Sequence, residues 1–492
     1  MSEKFPAQGY KDNVLSECFA DAKEYLLEHY LDVDRAHILM LGEQDIVTRS
    51  ELSEILRAIE KLNVETIRRA EYDGSVEDLF YFIQRAIAAE VGDEDIAGKL
   101  HTARSRNDID VTIYRLRLRE QTLDLIDACT RLQSVFLNLA AQHHDSLMPA
   151  YTHTQPAQPT TIAHYLLAMA ENTGRDVSRL KNAFDNLNHS PLGACAITTT
   201  GFPINRHRVA ELLGFSRPTR NSYGSIASVD YFTELLGATS AMLINVGKFA
   251  QEFLLMAMAE FNVIRLPDGY VQASSIMPQK RNPVAIEHVR AIASKALGQV
   301  MGVMTSVHNT PFGDINDVED DLQPLNFSAV RDAVRAVSLL SDALSAAEFN
   351  LELLRSRAEG NFITVTELAD VIVRREGLPF SLAHSIVAHL VKQSTEEDRD
   401  ISYEMLKKAT SEQTNRNLNL SEAEFDDALS AVNFVNVRAI YGGPAPAETR
   451  AALEEQRQIE QGHQLWLRNT RSALKQSSDS LTCAIDKALA ED

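Results

Sequence analysis

The segment at residues 235–256, which reads LLGATSAMLINVGKFAQEFLLM, decides the fold class. Apolar and small residues surround it on nearly every side, it contains no proline, and its only charges are Lys248 and Glu252. A helix that is apolar all round is buried. The two charges interrupt the uncharged run that a membrane span needs. The segment therefore predicts a central helix of a bundle or of an oligomer core.

Long tracts without proline extend this prediction along the chain. Proline is absent between Pro6 and Pro149 and from residues 219–266, 325–378, 380–443 and 447–492. A helix interior disfavours proline by about 3 kcal/mol, so these tracts permit long helices. Apolar residues recur at helical spacing in residues 52–62, 116–126, 328–349 and 351–373. Strand and hairpin signals are weak, and the region around Pro149–Pro159 is expected to be a loop. The predicted class is all-α.

The length of 492 residues allows roughly three domains at about 150 residues each. A polar, basic loop near residue 102 and the interruption RSRAEG near residue 355 suggest the boundaries. We expect an N-terminal helical domain over residues 1–102, a central long-helix bundle over 103–355 and a C-terminal helical domain over 356–492. The bundle would carry the candidate catalytic loops.

Composition excludes several classes of partner. The chain has 48 Lys and Arg against 69 Asp and Glu, a formal net charge of −21. This charge opposes binding to nucleic acids and to anionic membranes. Four widely separated cysteines suit a reducing compartment, and the first residues contain no apolar signal sequence. We expect a cytoplasmic protein that binds neither nucleic acid nor membrane.

The strongest chemical signal is the serine loop, residues 273–283, which reads ASSIMPQKRNP. A serine that acts as a base needs a cation or N–H donors to stabilise its alkoxide, and Lys280 is a nearby cation. On composition alone, a solvated linker is the favoured interpretation of the loop. The pattern Ser-Ser-Ile-Met-Pro-x-Lys-x-Asn, however, resembles that of the fumarase/aspartase superfamily, whose members eliminate fumarate from substituted succinates and aspartates.

Two further segments narrow the resemblance to argininosuccinate lyases. The arginine loop, residues 100–108, reads LHTARSRND and supplies the forked donors that a carboxylate needs. Asn107 or Asp108 would also suit the cap of the following helix. The histidine segment, residues 150–159, reads AYTHTQPAQP and resembles the second motif of the family.

The resemblance implies three helical domains and a homotetramer in which each active site takes its three loops from three subunits. It implies that Ser274 is the base, that Lys280 and Asn282 hold a carboxylate and stabilise the intermediate, and that His153 helps to protonate the leaving amine. It implies a substrate-binding role for Arg104, Ser105, Arg106, Asn107 and Thr152, with Gln155, Ser275 and Met277 lining the site. The substrate would be a small molecule, and no metal or organic cofactor is implied.

The acidic segment, residues 314–321, departs from the family. It reads DINDVEDD where argininosuccinate lyases commonly read YNKDLQED. Asp314 and Asn316 therefore replace the Tyr and Lys that help to hold arginine, and Glu319 replaces the Gln. All three are candidates for an altered amine pocket. An exposed acidic turn is an equally good interpretation of this segment.

Three hypotheses follow. The first is a carbon–nitrogen lyase that reversibly releases fumarate from an N-substituted aspartate whose amine is not arginine, such as an ethylenediamine-disuccinate (EDDS) type of compound. The second is a true argininosuccinate lyase with unusual pocket residues. The third is a catalytically silent, crystallin-like helical scaffold.

Overall fold

The computed structural model describes residues 5–490, and helices dominate it. The α-helices are α1 Gln8–Tyr10, α2 Ser16–Tyr25, α3 Leu27–Glu43, α4 Arg49–Lys61, α5 Val64–Arg69, α6 Leu79–Val91, α7 Glu94–Gly98, α8 Arg106–Gln142, α9 Ile162–Leu187, α10 Arg206–Leu212, α11 Ser222–Ala227, α12 Asp230–Ala257, α13 Val284–Val307, α14 Gln323–Ser345, α15 Leu351–Glu359, α16 Val365–Glu376, α17 Phe380–Glu396, α18 Tyr403–Thr414, α19 Glu422–Leu429, α20 Ala431–Asn436 and α21 Pro446–Ala490. The all-α prediction is confirmed.

Four short two-stranded pairs occur between the helices of the described residues. The strands are β1 Leu147–Thr152, β2 Gln155–Thr161, β3 His189–Ser190, β4 Arg217–Pro218, β5 Ile264–Arg265, β6 Gln272–Ala273, β7 Arg281–Asn282 and β8 Glu348–Phe349. The pairs are β1 with β2, β3 with β4, β5 with β8 and β6 with β7, and all but β3–β4 are antiparallel.

Five long helices, α8, α9, α12, α13 and α14, pack together as a bundle. The predicted central helix is α12, and its Leu235, Leu236, Phe249 and Phe253 are buried in the main core. Burying a side chain of this size contributes about 1.5–3 kcal/mol, which makes packing rather than helix propensity the main support of the bundle.

The bundle has two ends that are far apart. Helix α8 contains 37 residues and is therefore about 55 Å long at about 1.5 Å per residue. We call the end at which α8 begins the proximal end and the end at which it finishes the distal end. The chain turns at the distal end through β1 and β2, where the Ala163 N–H donates to the His143 carbonyl. Helix α9 then returns to the proximal end, where the Arg115 guanidinium donates to the carbonyls of Asn186 and Leu187.

The other three helices follow the same axis. Helix α12 starts near the proximal end, where the Arg115 guanidinium lies 4.2 Å from the centre of the Tyr231 ring, and passes Phe136 with Phe249 on its way to the distal end. Helix α13 returns, and α14 begins near the proximal end, where the Gln121 amide donates to the Phe327 carbonyl. Each loop between these helices is thereby assigned to one end.

Two other parts of the chain surround the bundle. Helix α21 packs along α8 and α9, and its Leu467, Leu481 and Ile485 belong to the main core. Helices α16–α19 enclose a separate small core that includes Leu368, Leu390 and Phe425. The domain boundaries at 102 and 355 stay predictions. No helix of the described residues 5–490 is long and apolar enough to cross a membrane.

Two local predictions were wrong. The region around Pro149–Pro159 is not a plain loop but the antiparallel pair β1–β2, whose alternation the prolines and a bulge at Ala150/Tyr151 obscure. The helix expected over residues 351–373 breaks between α15 and α16, where Asn361 and Phe362 both adopt φ of 56° after Gly360. The helix expected over residues 328–349 corresponds to α14, which begins earlier, at Gln323, and ends earlier, at Ser345.

Candidate active site

Arg106 is the centre of the proximal end. Its guanidinium lies 2.7 Å from Asp78, 3.3 Å from Glu77, 3.7 Å from Asp110 and 3.8 Å from Asp320. Burial works against the charge of the guanidinium, but the Asp110 and Asp78 carboxylates outweigh it and raise the Arg106 pKa. One arginine thus joins the start of α6, the start of α8 and the acidic segment.

The carboxylates around Arg106 are themselves held in place. The Tyr30 hydroxyl donates to Asp110 at 3.0 Å, and the Tyr114 hydroxyl donates to Asp320 at 2.9 Å. Burial raises the pKa of Asp110 well above its ordinary value. Asp78, Asp110 and Asp320 are not among the site residues predicted from the sequence. Of these three, Asp110 could have been predicted to contact Arg106, because it lies four residues later on the same face of a helix.

The other residues of the arginine loop face different partners. Arg104 is fully buried, and its guanidinium lies 2.6 Å from the Asp34 carboxylate. Its expected contact with substrate stays a prediction. The Ser105 hydroxyl donates to the Asn107 side-chain oxygen at 2.9 Å, and the Asn107 amide donates to the Ala196 carbonyl at 3.0 Å. The helix cap is Ser105, in a capping box with Asp108, rather than Asn107 or Asp108.

The acidic segment also brings the carboxyl groups of Asp314 and Glu319 to the proximal end. Burial, followed by a hydrogen bond and charge repulsion from Asp314, raises the pKa of Glu319 to about 8. Asn316 begins a short 3₁₀ turn and is exposed. Just before these residues, the Phe312 ring stacks on Tyr223 with ring centres 5.8 Å apart, and both rings are exposed.

The histidine segment lies at the distal end. His153 and Thr154 are the two turn residues between β1 and β2, with φ of 49° and 64°. Positive φ at both turn residues is typical of a type I′ hairpin and is unusual for a β-branched threonine. Thr152 and Gln155 face each other across the turn, and His153 is exposed.

The serine loop is also distal, because α12 ends and α13 begins there. Strands β6 and β7 bracket the loop, and the Ser274 hydroxyl oxygen accepts the N–H groups of Ile276 at 3.3 Å and Met277 at 3.0 Å. Ser275, Met277 and Lys280 are exposed, and Asn282 pairs with Gln272. Arg281 is bound to Asp268 and to the Leu266 carbonyl.

The structure therefore divides the predicted site residues into two groups. The proximal group is Arg104, Ser105, Arg106, Asn107, Asp314, Asn316 and Glu319. The distal group is Thr152, His153, Gln155, Ser274, Ser275, Met277, Lys280 and Asn282. The length of α8 keeps the two groups about 55 Å apart in one chain.

The chain is a lyase. A family described as "Lyase" matches residues 37–301, and one described as "Argininosuccinate lyase C-terminal" matches residues 362–436. Argininosuccinate lyase 2 of Agrobacterium fabrum is 41% identical over 92% of this chain and 90% of its own length. An argininosuccinate lyase of Methanoculleus marisnigri is 36% identical over 94% of this chain and 93% of its own length.

A solved structure agrees with the sequence relatives. EDDS lyase in complex with formate superposes with a TM-score of 0.87 at 31% identity, covering 95% of this chain and 93% of that chain. The protein belongs to the argininosuccinate lyase family of the fumarase/aspartase superfamily.

The raised pKa of Glu319 predicts a pH effect on stability. The folded protein holds this proton more tightly than the unfolded chain, so the stabilisation is complete below the ordinary Glu value near 4.5 and is lost as pH rises through about 8. We expect the Tm of the wild type to fall relative to that of Glu319→Gln as pH rises from 5 to 9. Glu352→Gln, on an exposed turn of α15, is the matched control. Parallel Tm curves for the wild type and Glu319→Gln would contradict this.

Proposed function

We propose that the protein is a carbon–nitrogen lyase that reversibly releases fumarate from an N-substituted aspartate. The observation that carries the proposal is the geometry of Ser274, whose oxygen receives two backbone N–H groups inside a loop that matches the family motif. N–H donors stabilise an alkoxide and so favour a serine that acts as a base.

In the proposed reaction, the Ser274 alkoxide takes the proton from the carbon next to the one that bears nitrogen. The electron pair of the broken C–H bond moves into the neighbouring carboxylate, and Lys280 and Asn282 stabilise this aci-carboxylate. The pair then forms the C=C bond of fumarate while the C–N bond breaks. The nitrogen leaves with the bonding electrons and receives a proton, for which His153 is the proposed donor. Ser105, Arg106, Asn107 and Thr152 bind the carboxylates of the substrate.

The proposal requires an oligomer. Because the proximal and distal groups lie about 55 Å apart in one chain, a complete site must combine the proximal end of one subunit with the distal end of others. Apolar side chains on the outer faces of the bundle favour such packing, since Ile244 on α12 is 50% exposed and Met301 on α13 is 56% exposed. We propose a homotetramer with shared sites. A cytoplasmic location is part of the proposal and is supported by the four free cysteines.

The residues of the acidic segment suit a cationic amine, and they replace the residues that argininosuccinate lyases commonly have there. With a pKa of about 8, Glu319 keeps its proton at pH 7, so the hydrogen-bonded pair presents the negative charge of Asp314. Phe312, two residues before Asp314 in the chain, stacks its exposed ring on the exposed ring of Tyr223. A carboxylate with aromatic faces suits an organic ammonium group. We propose a diamine-type leaving group, as in an EDDS-type compound.

The second candidate is a true argininosuccinate lyase. The names of the sequence relatives favour it, because those relatives are called argininosuccinate lyases at 36–41% identity. A guanidinium is also a cation and would be attracted to the same acidic pair. The third candidate, a silent scaffold, has no comparable support from the geometry of Ser274.

A panel of amines separates the three candidates. Purified protein is mixed with fumarate and either ethylenediamine or arginine, and the loss of fumarate absorbance is followed. We expect consumption with ethylenediamine and none with arginine. Asp314→Asn should raise the KM for the diamine about 10-fold or more, the cost of losing one charged contact, and leave the KM for fumarate unchanged. Consumption with arginine alone would support the second candidate, and no consumption by a folded oligomer would support the scaffold.

Ser274→Ala tests the base. Removing a group that transfers a proton in the transition state typically lowers the rate about 10²–10⁴-fold, so we expect kcat to fall by that factor. Ser345→Ala is the matched control, because this exposed hydroxyl donates to the Asp342 carbonyl at the end of α14, outside the proposed site. If Ser274→Ala keeps more than a tenth of the wild-type kcat while the tetramer is intact, another group is the base.

A further inference from the structure

Asp108, the third residue of α8, makes contacts that the proposed reaction does not use. Its side chain is buried. One carboxylate oxygen accepts the Ser105 N–H at 2.9 Å, and the other accepts the N–H groups of Gly193 and Cys195 at 2.8 Å each. A single carboxylate thus holds two segments that are 85 or more residues apart in the chain.

The backbone around Gly193 is shaped to make these contacts. Gly193 and Cys195 have φ of 84° and 54°, so their N–H groups converge on the same oxygen. Successive N–H groups in such a turn form a concave site for an anion, and here Asp108 is the anion. A side chain at position 193 is excluded, since its Cβ would lie 2.6 Å from the Arg206 side chain.

Side chains on both sides of residues 193–195 donate further hydrogen bonds to the neighbouring backbone. Asn107, which we place among the substrate-binding residues, donates to the Ala196 carbonyl on one side. Arg206 donates to the carbonyls of Leu192 and Pro191 on the other side. Beyond this turn the chain is exposed and carries Thr198 and Thr199. The arginine loop and residues 193–199 are therefore adjacent parts of one surface.

We propose that Asp108 is a positioning residue that ties the arginine loop to residues 193–199, so that the two form one carboxylate-binding surface. This inference rests on the proposed function, because it assigns Asp108 to the same site. Asp108 touches no substrate atom. It acts by fixing the backbone of Ser105 and the orientation of Asn107.

The charge state of Asp108 gives the proposal a pH signature. Burial raises the pKa of Asp108 to about 6, against the opposing effect of its three N–H donors. The charged and titratable groups around it are Arg104, Arg206 and the Cys195 thiol, and His37 and His101 lie beside Arg104. Burial raises the pKa of Cys195 to about 11 and lowers those of the two histidines to about 3 and 4. Guanidinium groups stay protonated. Asp108 is therefore the member of this group that titrates near pH 6.

The test is Asp108→Asn, which keeps the shape but presents an amide N–H₂ to backbone N–H groups. We expect the KM for fumarate to rise at least tenfold, with kcat changed less than threefold. In the wild type this KM should rise as pH falls from 7 to 5, when Asp108 becomes protonated. In Asp108→Asn it should be high and independent of pH over the same range.

A second measurement does not depend on turnover. Hydrogen exchange followed by mass spectrometry should be faster in Asp108→Asn for peptides that cover residues 103–107 and 190–197, and unchanged for α9. Asp176→Asn is the matched control, because Asp176 is a buried carboxylate that bonds Asn245 and Arg179 within the bundle. Asp176→Asn should change neither the KM for fumarate nor the rate of hydrogen exchange at the arginine loop.

Different results would overturn the proposed lyase function and the positioning role of Asp108. If the wild type consumes no fumarate, the proposed function fails, whereas faster exchange at both segments would still support the tie made by Asp108. If Asp108→Asn leaves exchange and the pH profile of KM as they are in the wild type, the positioning role is wrong even in an active lyase. A loss of stability with an unchanged KM would show that Asp108 is only structural and would also overturn the proposal.

Discussion

The length of α8 is the constraint on which the rest of the molecule depends. A rigid helix of about 55 Å separates the arginine loop from the histidine segment, although only the helix and a short turn lie between them in the sequence. The other bundle helices follow its axis, so the serine loop is distal and the acidic segment is proximal. Chemistry that needs both groups must occur between chains. In the proposed oligomer, the exposed apolar side chains of α12 and α13 would form subunit contacts.

Electrostatics at the proximal end reconciles an acidic protein with an anionic substrate. Arg106 is surrounded by the carboxylates of Glu77, Asp78, Asp110 and Asp320, which hold it in one position and keep it charged. In the proposed function this fixed guanidinium contributes a local, forked contact to a substrate carboxylate, while the acidic surface repels polyanions. Asp314 and Glu319 form a hydrogen-bonded acidic pair in the neighbouring acidic segment, and we propose this pair for the amine half of the substrate.

The sequence predicted the helical class and the central helix because both depend on local patterns of proline and apolar residues. The motif of the serine loop also indicated the family, which the comparisons confirm, whereas the roles of its residues stay predictions. It could not predict the burial of Arg104, because the partner Asp34 lies 70 residues away. The hairpin of β1 and β2 was missed since its prolines and bulge remove the usual alternation. The contacts of Asp108 with Gly193 and Cys195 could not be predicted, because they depend on tertiary packing.

The central claim, that one site uses the proximal end of one chain and the distal end of another, is tested most directly by mixing subunits. Ser274→Ala disables the distal group and Asn107→Ala disables the proximal group. Each variant alone should be nearly inactive in fumarate consumption. Hybrid oligomers of the two should regain activity well above either parent, because some sites then combine an intact Asn107 with an intact Ser274. Hybrids that form, as native mass spectrometry would show, and yet stay as inactive as their parents would contradict the claim.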